Sequence, residues 1–185
     1  VGRLTQRKGL NEFIEHSFSQ IVQAIPNTVL VIIGDTPSQS LNKNLQSKEL
    51  ILSTAKKHQI EHHIIFTGNI SDDNILSSFY YLADLHVFPV KHIPDDPEGF
   101  GMVAIEAAAH GTPTIAFATG GIVDAVQNHR TGYLVENKDY QDFTHKTIRF
   151  LKEESLISQQ DCQTYAEKFA WYNLNSKFEK MIVSL

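Results

Sequence analysis

The chain has 185 residues, 42% of them hydrophobic, with a formal net charge of −5 at neutral pH. That is enough apolar material for one well-packed domain and too little chain for two of ordinary size, and the acidic balance excludes a general electrostatic attraction for nucleic acid. The single Cys162 can make no internal disulfide, no apolar run approaches the length of a membrane span, and no signal peptide is visible.

In chain order, Val1-Gly2-Arg3-Leu4 reads as the tail of a strand already in progress, so an excised domain is expected. Leu10, Phe13, Ile14, Phe18, Ile21 and Val22 recur at helical spacing and predict an amphipathic helix over 8–24. Residues 29–33 form a short, wholly apolar run ended by Gly34-Asp35, the pattern of a strand buried on both faces. A polar surface loop over 36–44, a helix over 46–58 and a strand over 64–66 follow. Ser71 is placed to cap a third helix carrying Ile75, Leu76, Phe79 and Leu82. Then come a strand over 85–88, a long loop over 89–97, a strand over 114–117, a Gly120-Gly121 turn, a short helix over 123–127 and a strand over 132–135. From Tyr140 the sequence reads as helical throughout, ending in an amphipathic segment that reaches Leu185. Strands alternating with helices imply right-handed crossovers, hence an α/β fold with a doubly wound parallel sheet and extra C-terminal helices. Ligands of such sheets bind at the carboxyl ends of the strands.

The stretch 97–106, Pro-Glu-Gly-Phe-Gly-Met-Val-Ala-Ile-Glu, organises the rest. Glu98 and Glu106 are separated by seven residues, with glycines after the first and an Ala-rich run around the second, so a loop turning into a helix is expected. Gly99 and Gly101 allow close backbone approach to a ligand, and the first amides of the helix point outward unpaired, a setting that attracts phosphate. A carboxylate beside a phosphate site is better explained as an acceptor for hydroxyl hydrogens, which a sugar offers in quantity. Glu106, further inside the helix, could reach ribose hydroxyls. Near the start, Arg3 and Lys8 flank a short loop where two cations can converge on a diphosphate.

Glu-Gly-Phe-Gly with a second Glu after the seven-residue gap, together with Gly2-Arg3-Leu4-Thr5-Gln6-Arg7-Lys8-Gly9, resembles the signature of retaining glycosyltransferase family 4, the glycosyl transferases group 1, and other segments follow in the same order over nearly the whole chain. The resemblance implies the Rossmann-like, carboxy-terminal half of a GT-B enzyme, with residues 1–185 as the nucleotide-sugar (donor) binding domain and the amino-terminal acceptor domain absent. It implies that Arg3 and Lys8 neutralise the diphosphate leaving group, that Glu98 contacts the donor sugar and Glu106 the ribose, and that Phe100, Gly101 and Met102 approach sugar and diphosphate through backbone amides, with Gly99 forming the turn. Ile70, after Gly68-Asn69, would lie by the nucleobase; an ordinary turn before a capped helix is the competing reading. The final helix would cross back onto the absent half.

No cofactor and no metal are expected beyond the nucleoside-diphosphate sugar itself. His58, His62 and His63 lack a further ligand at matching spacing, Asp72-Asp73 suits a helix start, and Asp95-Asp96 suits a solvated loop. Gly120-Gly121 reads as a structural turn, with Asp124 where the family more often has glutamate. The loop 91–96 is the most irregular segment and a candidate for movement without ligand. The expected function is transfer of a sugar from a nucleoside diphosphate to an acceptor hydroxyl by the two-domain protein, with little or no activity in the isolated domain. The competing classes are a non-catalytic nucleotide-sugar-binding module and another GT-B enzyme such as a sugar-nucleotide epimerase. A cytoplasmic location is expected, with any membrane association belonging to the full-length protein.

Overall fold

The computed structural model describes residues 1–36, 45–94, 96–152 and 157–173. Its elements follow the order α1 (Leu10–Phe13), a π turn (Ile14–Phe18), α2 (Ser19–Ala24), β1 (Leu30–Ile33), α3 (Lys48–Lys57), β2 (Ile64–Gly68), α4 (Asp73–Leu82), β3 (His86–Phe88), α5 (Met102–Ala109), β4 (Thr114–Phe117), α6 (Ile122–Ala125), β5 (Gly132–Val135), α7 (Tyr140–Lys152) and α8 (Gln159–Ala166). All strand pairs are parallel, and they form a two-stranded sheet, β1-β2, and a three-stranded sheet, β3-β4-β5. The single sheet expected from the sequence is therefore split between β1 and β3. The opening residues are not a regular strand, yet the Gly2 and Leu4 amides donate to the carbonyls of Ile33 and Asp35 at 2.8 and 3.0 Å, along the edge of β1 away from β2.

Helix boundaries follow local capping. Ser47 accepts from the Leu50 amide and starts α3. The third helix is capped by Asp72, which accepts from the amides of Asn74 and Ile75, and not by Ser71 as expected. Asp has the same short acceptor as Ser and adds a charge that favours the helix start, so it takes the position. The tail is helical in pieces: α7 ends at Lys152, and Ser158 caps a separate α8 by accepting from the Asp161 amide. Residues 174–185, with the final amphipathic segment, and 37–44, with most of the expected surface loop, lie outside the described residues.

Two apolar clusters hold the layers together. One joins Phe13, Ile14, Phe18 and Ile21 to Ile32, Ile64, Phe117 and Phe143; the other joins Phe88 and Ala116 to Ala104, Ile105, Ala108, Ile122 and Cys162. The small side chains of α5 let it lie close against β3, β4 and α8, which fixes the start of α5 at the carboxyl ends of the strands.

Candidate donor-binding site

At that end two loops meet. The first, after Leu4, carries Arg7 and Lys8 and turns at Gly9 in the left-handed conformation; a Cβ there would sit 2.1 Å from the Pro89 carbonyl oxygen, so the loop leaving β3 presses directly on this glycine. The Lys91 amide donates to the Arg7 carbonyl at 2.9 Å, and the buried Lys91 ammonium is ion-paired with Glu12. The segment expected to be irregular is thus tied down at Lys91.

The second loop brings Glu98 to the first. Lys8 Nζ donates to Glu98 Oε2 at 3.0 Å, and Arg7 Nε lies 3.1 Å from the same oxygen as an ion pair. Arg7 also donates from a terminal nitrogen to Asp96 at 2.5 Å. Asp96 is therefore half-buried and paired, which corrects its reading as a solvated loop acid; its neighbour Asp95 lies outside the described residues. Lys8 stands 4.9 Å over the Phe88 ring, and its pKa is lowered, first by burial, against the opposing pull of Glu98. Arg3 is exposed, forms no ion pair among the described residues, and is close enough for its charge to act on Lys8.

From Glu98 the chain passes through Gly99 and Phe100 to Gly101, which adopts φ +80° and precedes α5 without any side-chain cap. The Met102 side chain is exposed at the helix start, and Phe100 packs on Phe169 with ring centroids 5.1 Å apart. Gly120 and Gly121 do more than turn: Cβ atoms there would lie 2.6 Å from the Glu98 carbonyl oxygen and 2.2 Å from that of Gly99, and the Gly121 amide donates to Gly99 at 3.0 Å. They brace the glutamate loop from behind.

Glu106, inside α5, accepts from the Tyr80 hydroxyl at 2.9 Å, and the His110 ring stacks on Tyr80 at 5.2 Å. Burial and the adjacent Glu106 charge raise the Tyr80 pKa, so the phenol stays a donor. Ile70 stands apart, half-buried in the turn between β2 and α4. Arg7, Tyr80 and the Gly120-Gly121 brace escaped the sequence reading. The Arg7-Lys8 dipeptide opposite an acidic loop was the only signal for Arg7.

The chain order reverses between β1, which continues outward to β2, and β3, which continues the other way to β4 and β5. Ligands of doubly wound sheets bind at such a reversal, outside the strands' carboxyl ends, and the Lys8–Glu98 pair lies there. The family model for glycosyl transferases group 1 matches residues 1–169. The chain belongs to this family. It is 31% identical over 156 residues to the capsular polysaccharide biosynthesis glycosyltransferase CapM of Staphylococcus aureus, covering 84% of this chain and 37% of the relative. It is 29% identical over 185 residues to the lipopolysaccharide 1,2-N-acetylglucosaminetransferase of Salmonella typhimurium, covering 98% of this chain and 46% of the relative. The chain thus spans less than half the length of these curated relatives. Among solved structures, the C-terminal domain of a group 1 glycosyl transferase, LpcC, from Francisella tularensis superposes with a TM-score of 0.68 at 28% identity, covering 90% of this chain and 77% of that one. Anabaena HepE, solved with UDP, superposes with a TM-score of 0.78 at 21% identity, covering all of this chain and 48% of that one, a likeness of fold. The chain thus has the Rossmann-like architecture of a GT-B domain. Among its described residues there is no group of three metal-ligating side chains and no helix long and apolar enough to cross a membrane.

Proposed function

We propose that this chain is the donor-binding half of a retaining glycosyltransferase, which moves a sugar from a nucleoside diphosphate to an acceptor hydroxyl. The observation that carries the reading is the half-buried Lys8 paired with Glu98, four residues before Met102 at the uncapped start of α5. Cation, carboxylate and free helix amides converge where the sheet order reverses. Without ligand, Lys8 and Glu98 neutralise each other. A bound diphosphate takes over Lys8 and the α5 amides, and Glu98 is then free to accept sugar hydroxyls. As the glycosidic bond breaks, negative charge builds on the diphosphate, and Lys8, Arg3 and the helix dipole stabilise it. Glu106, held by Tyr80, accepts from the ribose hydroxyls, and Ile70 lies towards the base. Retention of configuration, a front-face route in which the leaving phosphate helps deprotonate the acceptor, and an acceptor-binding half are properties we assign to the whole protein, with little transfer by this chain alone. The names of the relatives, which attach sugars in capsular and lipopolysaccharide assembly, support a role in carbohydrate biosynthesis.

The test is thermal unfolding of the chain with UDP, GDP and ADP and their sugars, beside Lys8→Ala and Glu106→Ala. One nucleotide at about a hundred times its dissociation constant is expected to stabilise by roughly 2.7 kcal/mol, with the shift reduced in both variants. A folded chain that responds to none of them, tested also as the full-length protein, overturns the reading.

A further inference from the structure

The Lys8–Glu98 pair has a third member. Arg7 rises from the short turn of residues 6–8, which is closed by amide-to-carbonyl bonds from Lys8 to Thr5 at 3.0 Å and from Gly9 to Gln6 at 3.1 Å. The Lys91 amide, bonded to the Arg7 carbonyl, ties this turn to the loop leaving β3. The guanidinium spends its contacts on one short segment of the glutamate loop: Asp96, the Pro97 carbonyl at 3.4 Å and Glu98. The Arg7 side chain is 15% exposed and that of Glu98 12%, so the contact between them is largely out of water.

One donor of Arg7 is left over. Nε is buried and makes no hydrogen bond among the described residues, although it lies 3.1 Å from Glu98 Oε2, so its N–H is misaligned with an oxygen that it already reaches. That oxygen accepts from Lys8 Nζ instead, at 3.0 Å. Glu98 Oε1 accepts from no group among the described residues. A buried donor without a partner is costly, and a buried carboxylate that loses its cation is costlier. One movement removes both costs: when Lys8 leaves Oε2, Arg7 Nε can complete its bond there.

We infer that Arg7 is a positioning residue for the donor sugar: it keeps hold of Glu98 Oε2 after Lys8 has turned to the diphosphate, so that Oε1 meets a sugar hydroxyl in one fixed place. The two cations divide the work according to their chemistry. Lys8 is a compact charge on a flexible stem and can change partner, whereas the planar fork of Arg7 is anchored on Asp96 and is always charged. Behind Glu98 the backbone has no room to retreat, since a Cβ on Gly120 would already lie 2.6 Å from the Glu98 carbonyl oxygen. The carboxylate is thus fixed from both ends. Without Arg7, Glu98 would face an anionic diphosphate with no cation in contact among the described residues, and would either hold Lys8 back or swing away. Arg7 acts through Glu98 and touches no reacting atom. The inference rests on the donor-site reading.

The test is titration calorimetry with the nucleoside diphosphate that the thermal panel selects and with its sugar conjugate, on the parent, Arg7→Gln, Glu98→Gln and the double variant, each shown to be folded by circular dichroism. The quantity read is the ratio of the two dissociation constants, from which an effect on the diphosphate alone cancels. The affinity gained from the sugar is expected to fall about tenfold in Arg7→Gln, as for a lost hydrogen bond to a charged group, by a similar factor in Glu98→Gln, and no further in the double variant. Arg7→Met, which keeps the packing of the stem, takes the place of Arg7→Gln if the latter does not fold. A ratio that Arg7→Gln leaves unchanged, or losses that multiply in the double variant, overturn the inference, because Arg7 then serves the diphosphate or the fold and not Glu98. A parent that binds none of the nucleotides fails the donor-site reading itself, and the inference falls with it.

Discussion

At the scale of single residues, the site is a contest between burial and pairing. Lys8 and Glu98 were legible because their spacing to glycines is local, whereas Arg7 was not: its partners Asp96 and Glu98 lie about ninety residues away and only the fold brings them together. His86 was legible only as a strand residue. Its side chain is buried, with Nδ1 on the Thr114 hydroxyl at 3.1 Å and Nε2 without a partner among the described residues. Burial first, then nearby positive charge including Lys8, pushes its pKa well below 6.5. The folded state therefore refuses a proton that the unfolded chain accepts, so stability is present above about pH 6.5 and is lost as pH falls below it, by up to roughly 1.4 kcal/mol per pH unit. His86→Gln, which keeps a neutral polar side chain and does not titrate, is expected to flatten this acid slope in urea unfolding measured between pH 5 and 7; an unchanged slope would place the titrating group elsewhere.

At the scale of elements, strands were legible as short apolar runs, and β4 and β5 fall on the residues expected. The tail was not, because apolar periodicity runs through 140–166 while the break is set by the local cap at Ser158. The glycine loops show the same division between sequence and packing. Gly99 has nothing within 4 Å of where a Cβ would stand, whereas a Cβ on Gly121 would strike the backbone of Gly99 and Phe100. Gly121→Ala is therefore expected to destabilise by about 2 kcal/mol or more and to displace the glutamate loop. Gly99→Ala is expected to stay within about 0.5 kcal/mol of the parent while weakening binding of the nucleotide that the thermal panel selects, since only the ligand approaches that face. Denaturant midpoints and titration calorimetry on the two variants separate a glycine needed by the fold from one needed by the ligand.

At the scale of the whole molecule, the backbone edges of the two sheets are apart but their side chains are not. Phe13, from the helix that covers β1, meets Phe143 of α7 at 5.4 Å, and Phe143 meets Phe117 of β4 at 5.1 Å. This aromatic chain crosses from one sheet to the other, so both halves should unfold as one unit despite the break between the sheets. The buried Cys162 reports on the second apolar cluster, away from that chain of rings. Burial raises its pKa to about 11, so at pH 8 it is neither exposed nor ionised in the folded state and reacts with a thiol reagent only on opening. Phe143→Ala, which removes a fully buried ring, is expected to cost about 3–5 kcal/mol. If the molecule is one cooperative unit, Cys162 labelling under native conditions must accelerate by the full factor that this loss implies, on the order of a hundredfold or more, although the mutated ring belongs to the other cluster. Labelling that stays slow while the circular dichroism midpoint falls would show instead that the two clusters open separately.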